Sequence, residues 1–212
     1  EDTLRVKILV LGDSGVGKSS LVHLLTNHSE LTNPAWTVGC SLQVGLHEYR
    51  SELTGQAERL FFLEFWDIGG YPMHKNSRGV FYHGVHGILL VHDLTNRKTE
   101  LNLSRWLHES CLGADTPPVL VIGAKSDLCK ADTLAKRPNG GEAAARIGCP
   151  EILLSCVDTR SLSAGTTNAV KLDRFYDQVI EYRLRPRAST PPRVGQAISR
   201  PNRQQSKLLH GE

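Results

Sequence analysis

Apolar residues fall in short blocks separated by polar, glycine-bearing stretches, and the blocks alternate between two spacings. Residues 4–11 form a β-branched apolar run that predicts a first strand. It feeds Gly12-Asp13-Ser14-Gly15-Val16-Gly17-Lys18-Ser19, and then Ser20-Leu21-Val22-His23-Leu24-Leu25 with helical character. A loop from Thr26 to Gly39 follows, with Asn33-Pro34 as a turn signal. Leu42, Val44 and Leu46 recur at period two and predict a strand. The next run, Leu60 to Trp66, is too apolar for one-sided exposure and predicts a central strand. A hairpin turn through Ser51–Ala57, with Gly55, joins the two.

Three further apolar runs, 87–91, 119–123 and 151–155, predict buried parallel strands. Helical spacing intervenes at Leu101, Leu103, Trp106 and Leu107. It returns at Ala169, Leu172, Phe175, Tyr176, Val179 and Ile180, which share one face. The alternation predicts an α/β fold: a P-loop-type, mostly parallel sheet of about six strands with helices on both faces. One antiparallel edge strand comes from the hairpin. Ligands of such sheets sit beyond the carboxyl ends of the strands.

Length and composition narrow the class. With 212 residues, 40% hydrophobic and 22% charged, the chain is sized for one globular domain with a tail, assigned to residues 1–183 and 184–212. No apolar run approaches the ~20 residues of a membrane span. Five cysteines (Cys40, Cys111, Cys129, Cys149, Cys156) without a Cys-x-x-Cys pair argue against a disulfide scaffold or structural zinc and fit the cytoplasm. The net charge of +3 is uneven: from Arg183 onward there are seven Lys or Arg against one Glu. With Pro186, Pro191, Pro192 and Pro201, that stretch reads as a solvated, disordered extension. It is expected to give at most weak, salt-sensitive membrane adsorption, and nucleic acid is not an expected partner.

The strongest chemical signal is Gly12-x-x-x-x-Gly17-Lys18-Ser19, a full P-loop match between a strand and a helix. Glycines let the backbone curl with its N–H groups inward. The helix that follows offers unpaired N–H groups and its positive dipole end to an anion. Lys18 places a point charge between two phosphates, and the Ser19 hydroxyl suits Mg²⁺, which prefers hard oxygen ligands.

Further segments in register with this loop make the chain resemble a Ras-superfamily small GTPase of the Rab-like group. They are Thr37, nineteen residues after Lys18; Trp66-Asp67-Ile68-Gly69-Gly70; Val85 to Asp93; and Lys125-Ser126-Asp127. Asn33 to Cys40, Val91 to Asn96 and Ser163 to Leu172 point to one Rab-like subgroup. The resemblance implies GTP or GDP with Mg²⁺ as ligands. It implies phosphate contacts from Gly15, Val16, Gly17, Lys18, Ser19 and Ser20, and base contacts from Lys125, Asp127, Cys156 and Val157. Metal roles fall to Ser19, Thr37 and, through water, Asp67. Catalytic roles fall to Lys18, to Thr37 closing over the γ-phosphate, and to the Gly70 amide as its sensor.

Four positions depart from the family pattern. Tyr71 stands where a water-positioning glutamine is usual, so hydrolysis is expected at or below the intrinsic Ras rate of about 3–5 × 10⁻⁴ per second. Ala124 replaces an Asn or Thr that tethers the base loop, a loss of about 1–3 kcal/mol. Ser155-Cys156-Val157 lacks the base-backing lysine, and Glu30-Leu31 lacks an aromatic to stack on the base. The chain carries no cysteine beyond Cys156, so prenyl anchoring is not expected.

The subgroup implies self-association near the switches. It also implies regulation of other small GTPases, through an effector or through the chaperone that escorts them to prenylation. A slow switch and a GTP-stabilised dimeric scaffold both remain open, while an ATP-using kinase is weakly supported: nothing in the chain resembles a phosphate-acceptor lid, and Asp127 follows Lys125 in the guanine-reading arrangement. His83, His86 and His92 read as edge or packing histidines rather than a metal site. Trp36 and the Phe81-Tyr82 pair read equally as partner-binding aromatics or as switch packing.

Overall fold

The computed structural model describes residues 4–50, 58–110, 115–135, 137 and 141–185. The expected hairpin turn at 51–57 and the basic tail beyond Arg185 lie outside the described residues. The strands are β1 (Arg5–Leu11), β2 (Cys40–Tyr49), β3 (Arg59–Ile68), β4 (Gly87–Asp93), β5 (Val119–Ala124) and β6 (Glu151–Leu153). They form one sheet in the order β2-β3-β1-β4-β5-β6. All pairings are parallel except β2 with β3, where Cys40 faces Ile68 and Tyr49 faces Arg59.

The helices are α1 (Lys18–Asn27), α2 (Lys75–Arg78), α3 (Arg97–Leu101), α4 (Leu103–Ser110), α5 (Ala131–Ala135), α6 (Glu142–Ile147) and α7 (Thr167–Leu184). They bury one core on each side of the sheet. Val6, Ile8 and Val10 of β1 join Leu21 and Val22 of α1 and Phe175, Val179 and Ile180 of α7. Leu9 and Leu11 join Leu90, Leu103 and Trp106 on the other side. Asn102 separates α3 from α4, which leaves Leu101 exposed rather than on the buried face with Leu103 and Trp106.

The β2–β3 ribbon corrects one expectation. β3 is interior by pairing, but its outer face is not covered: Leu60 and Phe62 are exposed, beside Leu42, Val44 and Leu46 of β2, the last 60% exposed. The polar positions of β2 turn inward instead. Gln43 accepts a hydrogen bond from Thr26 Oγ1 at 2.8 Å, and His47 Nε2 lies 2.9 Å from Asp177 Oδ1 of α7. Phe61, Leu63 and Phe65 supply the apolar contacts on that side, so the helices there accept polar neighbours from β2.

His92 is a packing histidine with a carboxylate partner. It is fully buried, with Nε2 2.9 Å from Glu151 Oε1. Arg137 donates to Glu151 and to Glu100 Oε1, and Glu100 also accepts the backbone N–H groups of Glu142 and Ala143. The carboxylate cluster therefore caps α6 and ties β4 to β6. His86 instead accepts from the Lys7 amide at its Nδ1, so the three histidines do not converge. No metal-competent cluster occurs among the described residues.

Burial raises the Glu151 pKa, but hydrogen bonds from His92 and Arg137 outweigh it and leave the group below its ordinary 4.5. Its stabilising contribution is therefore complete above pH 4.5 and lost as the pH falls through the lower folded value. Glu151→Gln is expected to cost about 3 kcal/mol at neutral pH. Thermal melts should show the two proteins converging as the pH falls below 4.5, and a constant gap would count against this assignment.

Candidate functional site

The site lies at the carboxyl ends of β1 and β3, where the chain leaves the sheet. β1 ends at Leu11, and Gly12 then passes so close to β4 that a Cβ would overlap the Val91 carbonyl oxygen. Only glycine fits this approach. The loop that follows delivers Lys18 into the first turn of α1, where it is buried. Its Nζ donates to the carbonyls of Gly12 and Asp13, both at 2.9 Å. The ammonium is thereby strapped across the mouth of the curled backbone. Burial is the larger influence and pulls its pKa down to about 8, against the opposing pull of Asp67 and Asp13.

Next to it, three oxygen groups predicted from distant parts of the sequence meet. Ser19 Oγ donates to Asp67 Oδ2 at 2.5 Å, and Thr37 Oγ1 donates to the same oxygen at 3.2 Å. The Ser19 and Thr37 hydroxyls are 2.9 Å apart. The other carboxylate oxygen, Asp67 Oδ1, is buried with no hydrogen-bond partner. Burial raises the Asp67 pKa, opposed by Ser19, Lys18 and Thr37. A carboxylate and two hydroxyls sharing one point, with a buried oxygen unpaired, is a donor set that fits Mg²⁺.

Gly69 and Gly70 close the far wall. Gly69 N–H donates to the Gly39 carbonyl at 2.9 Å. A Cβ on Gly70 would stand 2.5 Å from Ser14 N and 2.6 Å from Gly12 O, so the turn lies directly on the phosphate loop. A cavity of about 400 Å³ is bounded by Gly15, Gly17, Lys18, Ser19, Ser20, Thr37, Gly70 and Lys125, with Asp67 behind the Ser19 and Thr37 hydroxyls. Trp36, 78% exposed, also borders it. Val16 does not line this cavity; its side chain is buried in the core beneath α1. Tyr71 is exposed, with its ring 6.1 Å from that of His74, and does not line the cavity either.

A second cavity of about 220 Å³ adjoins the first. It is lined by Asp127, Cys156, Val157, Ala124, Lys125, Gly17 and Ser20, with Glu30 and Leu31 at the position lacking an aromatic. Burial pushes the Cys156 thiol up to about 12, so it is a neutral wall and not a nucleophile.

Lys125, in the left-handed conformation at φ 63°, bridges the two cavities. Its Nζ donates to Gly15 O at 2.8 Å and pairs with Asp93 Oδ2 at 2.6 Å. Burial raises the Asp93 pKa, but Lys125 and Thr95 outweigh it and hold the carboxylate below its usual range. Lys125 thus pins its own loop to the Gly12–Ser19 loop and to the end of β4. Asp93 was not among the sequence candidates. The signal available was an acidic residue at the end of a buried strand. Of the two aromatic candidates, Tyr82 is buried and donates to Glu109 Oε1 at 2.8 Å, which makes it packing.

The sequence matches the family described as "Ras of Complex, Roc, domain of DAPkinase" over residues 7–127. It is 47% identical to Rab-like protein 3 of Xenopus tropicalis over 205 residues, covering 84% of this chain and 86% of that protein. The Danio rerio Rab-like protein 3 is 42% identical over 236 residues and 98% of both chains. The Homo sapiens Rab-like protein 3 is 44% identical over 206 residues, covering 84% and 86%.

An anion seated against Lys18 returns its pKa toward 10.5. Nucleotide binding is therefore expected to take up protons between about pH 8 and 10.5, where the unliganded amine is partly neutral, and none from this group near pH 6.5. Titration calorimetry in buffers of different ionisation enthalpy measures the uptake. Its absence at pH 8.5, or its persistence in Lys18→Met, would contradict this role.

Proposed function

The chain belongs to the Rab-like protein 3 family of Ras-like small GTPases, and we propose that it is a slow, Mg²⁺-dependent guanine-nucleotide switch. The observation that supports this reading is the meeting of Lys18, Ser19, Thr37 and Gly70 around one cavity, with Asp67 bonded to Ser19 and Thr37 and a second cavity walled by Asp127 alongside.

In this reading the loop amides from Gly15 to Ser20 and the Lys18 ammonium hold the phosphates. Ser19, Thr37 and, through water, Asp67 would hold Mg²⁺, which would supply neutralisation of phosphate charge. Thr37 would close its loop over the γ-phosphate, and the Gly70 amide would sense that phosphate. Asp127 accepts from the guanine edge, the Lys125 stem packs along the base, and the Cys156 amide reaches the guanine carbonyl. Tyr71 gives the attacking water no amide that both accepts and donates, so turnover is slow unless a partner supplies groups in trans. The exposed stripe of Leu42, Val44, Leu46, Leu60 and Phe62 runs out from the Thr37 loop as a surface for a protein partner, whether an effector, a GTPase chaperone or a second copy. Tyr71 favours a second reading as well, a GTP-stabilised dimeric scaffold with a constitutive surface.

Extraction of the co-purified nucleotide should yield GDP or GTP, and adenine nucleotide would reject the base assignment. Single-turnover GTP hydrolysis is expected at or below about 5 × 10⁻⁴ per second, rising severalfold in Tyr71→Gln. Equal partner affinity for the two guanine states would leave the scaffold in place of the switch. Lys18→Ala should lower the melting temperature of the nucleotide-loaded protein, since ligand at ~100 times its Kd adds about 2.7 kcal/mol to folding.

A further inference from the structure

Gly69 and Gly70 have no side chains with which to hold their own position, yet the switch reading asks the Gly70 amide to sense a phosphate. Helix α4 supplies the hold from two directions. The Asp13 carboxylate, in the phosphate loop, accepts Trp106 Nε1 on Oδ1 at 2.8 Å and Asn102 Nδ2 on Oδ2 at 2.6 Å. The Asp13 backbone carbonyl is one of the two that hold Lys18. The ring of the same tryptophan seats Arg78, the last residue of α2, with the guanidinium carbon 4.2 Å from the ring centroid.

Arg78 is buried and points back at the turn, NH1 donating to Gly69 O at 3.4 Å. Glu109 of α4 holds it as well: Arg78 NH2 donates to Glu109 Oε2 at 3.5 Å and Nε lies 3.2 Å from Oε1, so the ring face and the carboxylate share the hold. Glu109 is fixed in turn by the Tyr82 hydroxyl.

We propose that Trp106 is a positioning residue for the γ-phosphate-sensing turn, clamping the phosphate loop through its N–H and the Gly69–Gly70 turn through its ring and Arg78. This rests on the switch reading above and deepens it. The consequence is asymmetric. The phosphate loop keeps Asn102 as a second hold on Asp13, so a diphosphate is still bound. The turn is needed only for the third phosphate, so weakening the clamp penalises the triphosphate state selectively.

The test uses the full chain with fluorescent GDP and a fluorescent non-hydrolysable GTP analogue, in the parent, Trp106→Phe and Arg78→Lys. Each variant is expected to lower the ratio of triphosphate to diphosphate affinity about three- to tenfold, the size of one lost polar contact. Diphosphate affinity should stay within about twofold, and the double variant should lose little more than the larger single, as for one coupled unit. An unchanged ratio, or equal loss for both nucleotides, would overturn the clamp and show that Trp106 is packing alone. A second measurement leaves Trp106 in place: fluorine NMR of the chain labelled with fluorinated tryptophan, its lines assigned by Trp36→Phe and Trp66→Phe. The Trp106 line is expected to move between the two nucleotide states, and a fixed line would overturn the proposal even if Trp106→Phe failed to fold. A parent chain that binds neither nucleotide would remove the switch reading itself, and this inference with it.

Discussion

A lysine ammonium buried at the start of a helix is an unfavourable arrangement by itself. It loses water, and it lies beside the positive end of α1, where an anion is the favoured neighbour. The rest of the site can be understood as the answer to that cost. Two backbone carbonyls from Gly12 and Asp13 reach the Lys18 ammonium, Asp67 and Asp13 stand near it, and the loop must curl tightly to bring those carbonyls inward. The curl is possible because Gly12 slides against the Val91 carbonyl without a Cβ. Burial still outweighs these contacts and leaves the Lys18 pKa lowered.

The same economy of contacts joins segments far apart in the chain. The carbonyl that holds Lys18 belongs to Asp13, whose carboxylate is held by Trp106 and Asn102. Gly70 lies on that loop, and Gly69 is gripped between Gly39 and Arg78. The Lys125 amine ties its own loop to Gly15 and to the end of β4 through Asp93. Displacing any one of these loops disturbs polar groups on the others. By contrast, the His92–Glu151–Arg137–Glu100 cluster links β4 to β6 and fastens α6, a structural use of buried charge.

The outer face of the β2–β3 ribbon shows the cost of reading a pattern without its partners. Alternation at Leu42, Val44 and Leu46 marks a strand with one apolar side, and the natural expectation buries that side. The helices α1 and α7 cover the opposite side, where β3 already supplies Phe61, Leu63 and Phe65. The apolar set of β2 is left in water with Leu60 and Phe62. That stripe is contiguous apolar surface left unburied within the chain.

The amino-acid sequence alone determined the alternation of strands and helices, the phosphate loop, and the register of Thr37, Asp67, Gly70, Lys125 and Asp127 with it. These are local signals: a period of hydrophobicity or a fixed spacing written along the chain. Only the tertiary structure decided which face of β2 meets water, that His92 is buried in an ion cluster, that Asp93 and Gly15 receive the Lys125 amine, and that Trp106 links Asp13 to Arg78. Each of those depends on groups brought together from distant segments, up to 110 residues apart for Lys125 and Gly15. A carboxylate or an indole reads the same in sequence whether it faces solvent or a partner. What distinguishes them is the polar group that folding delivers to hydrogen-bonding distance, and no periodicity records that.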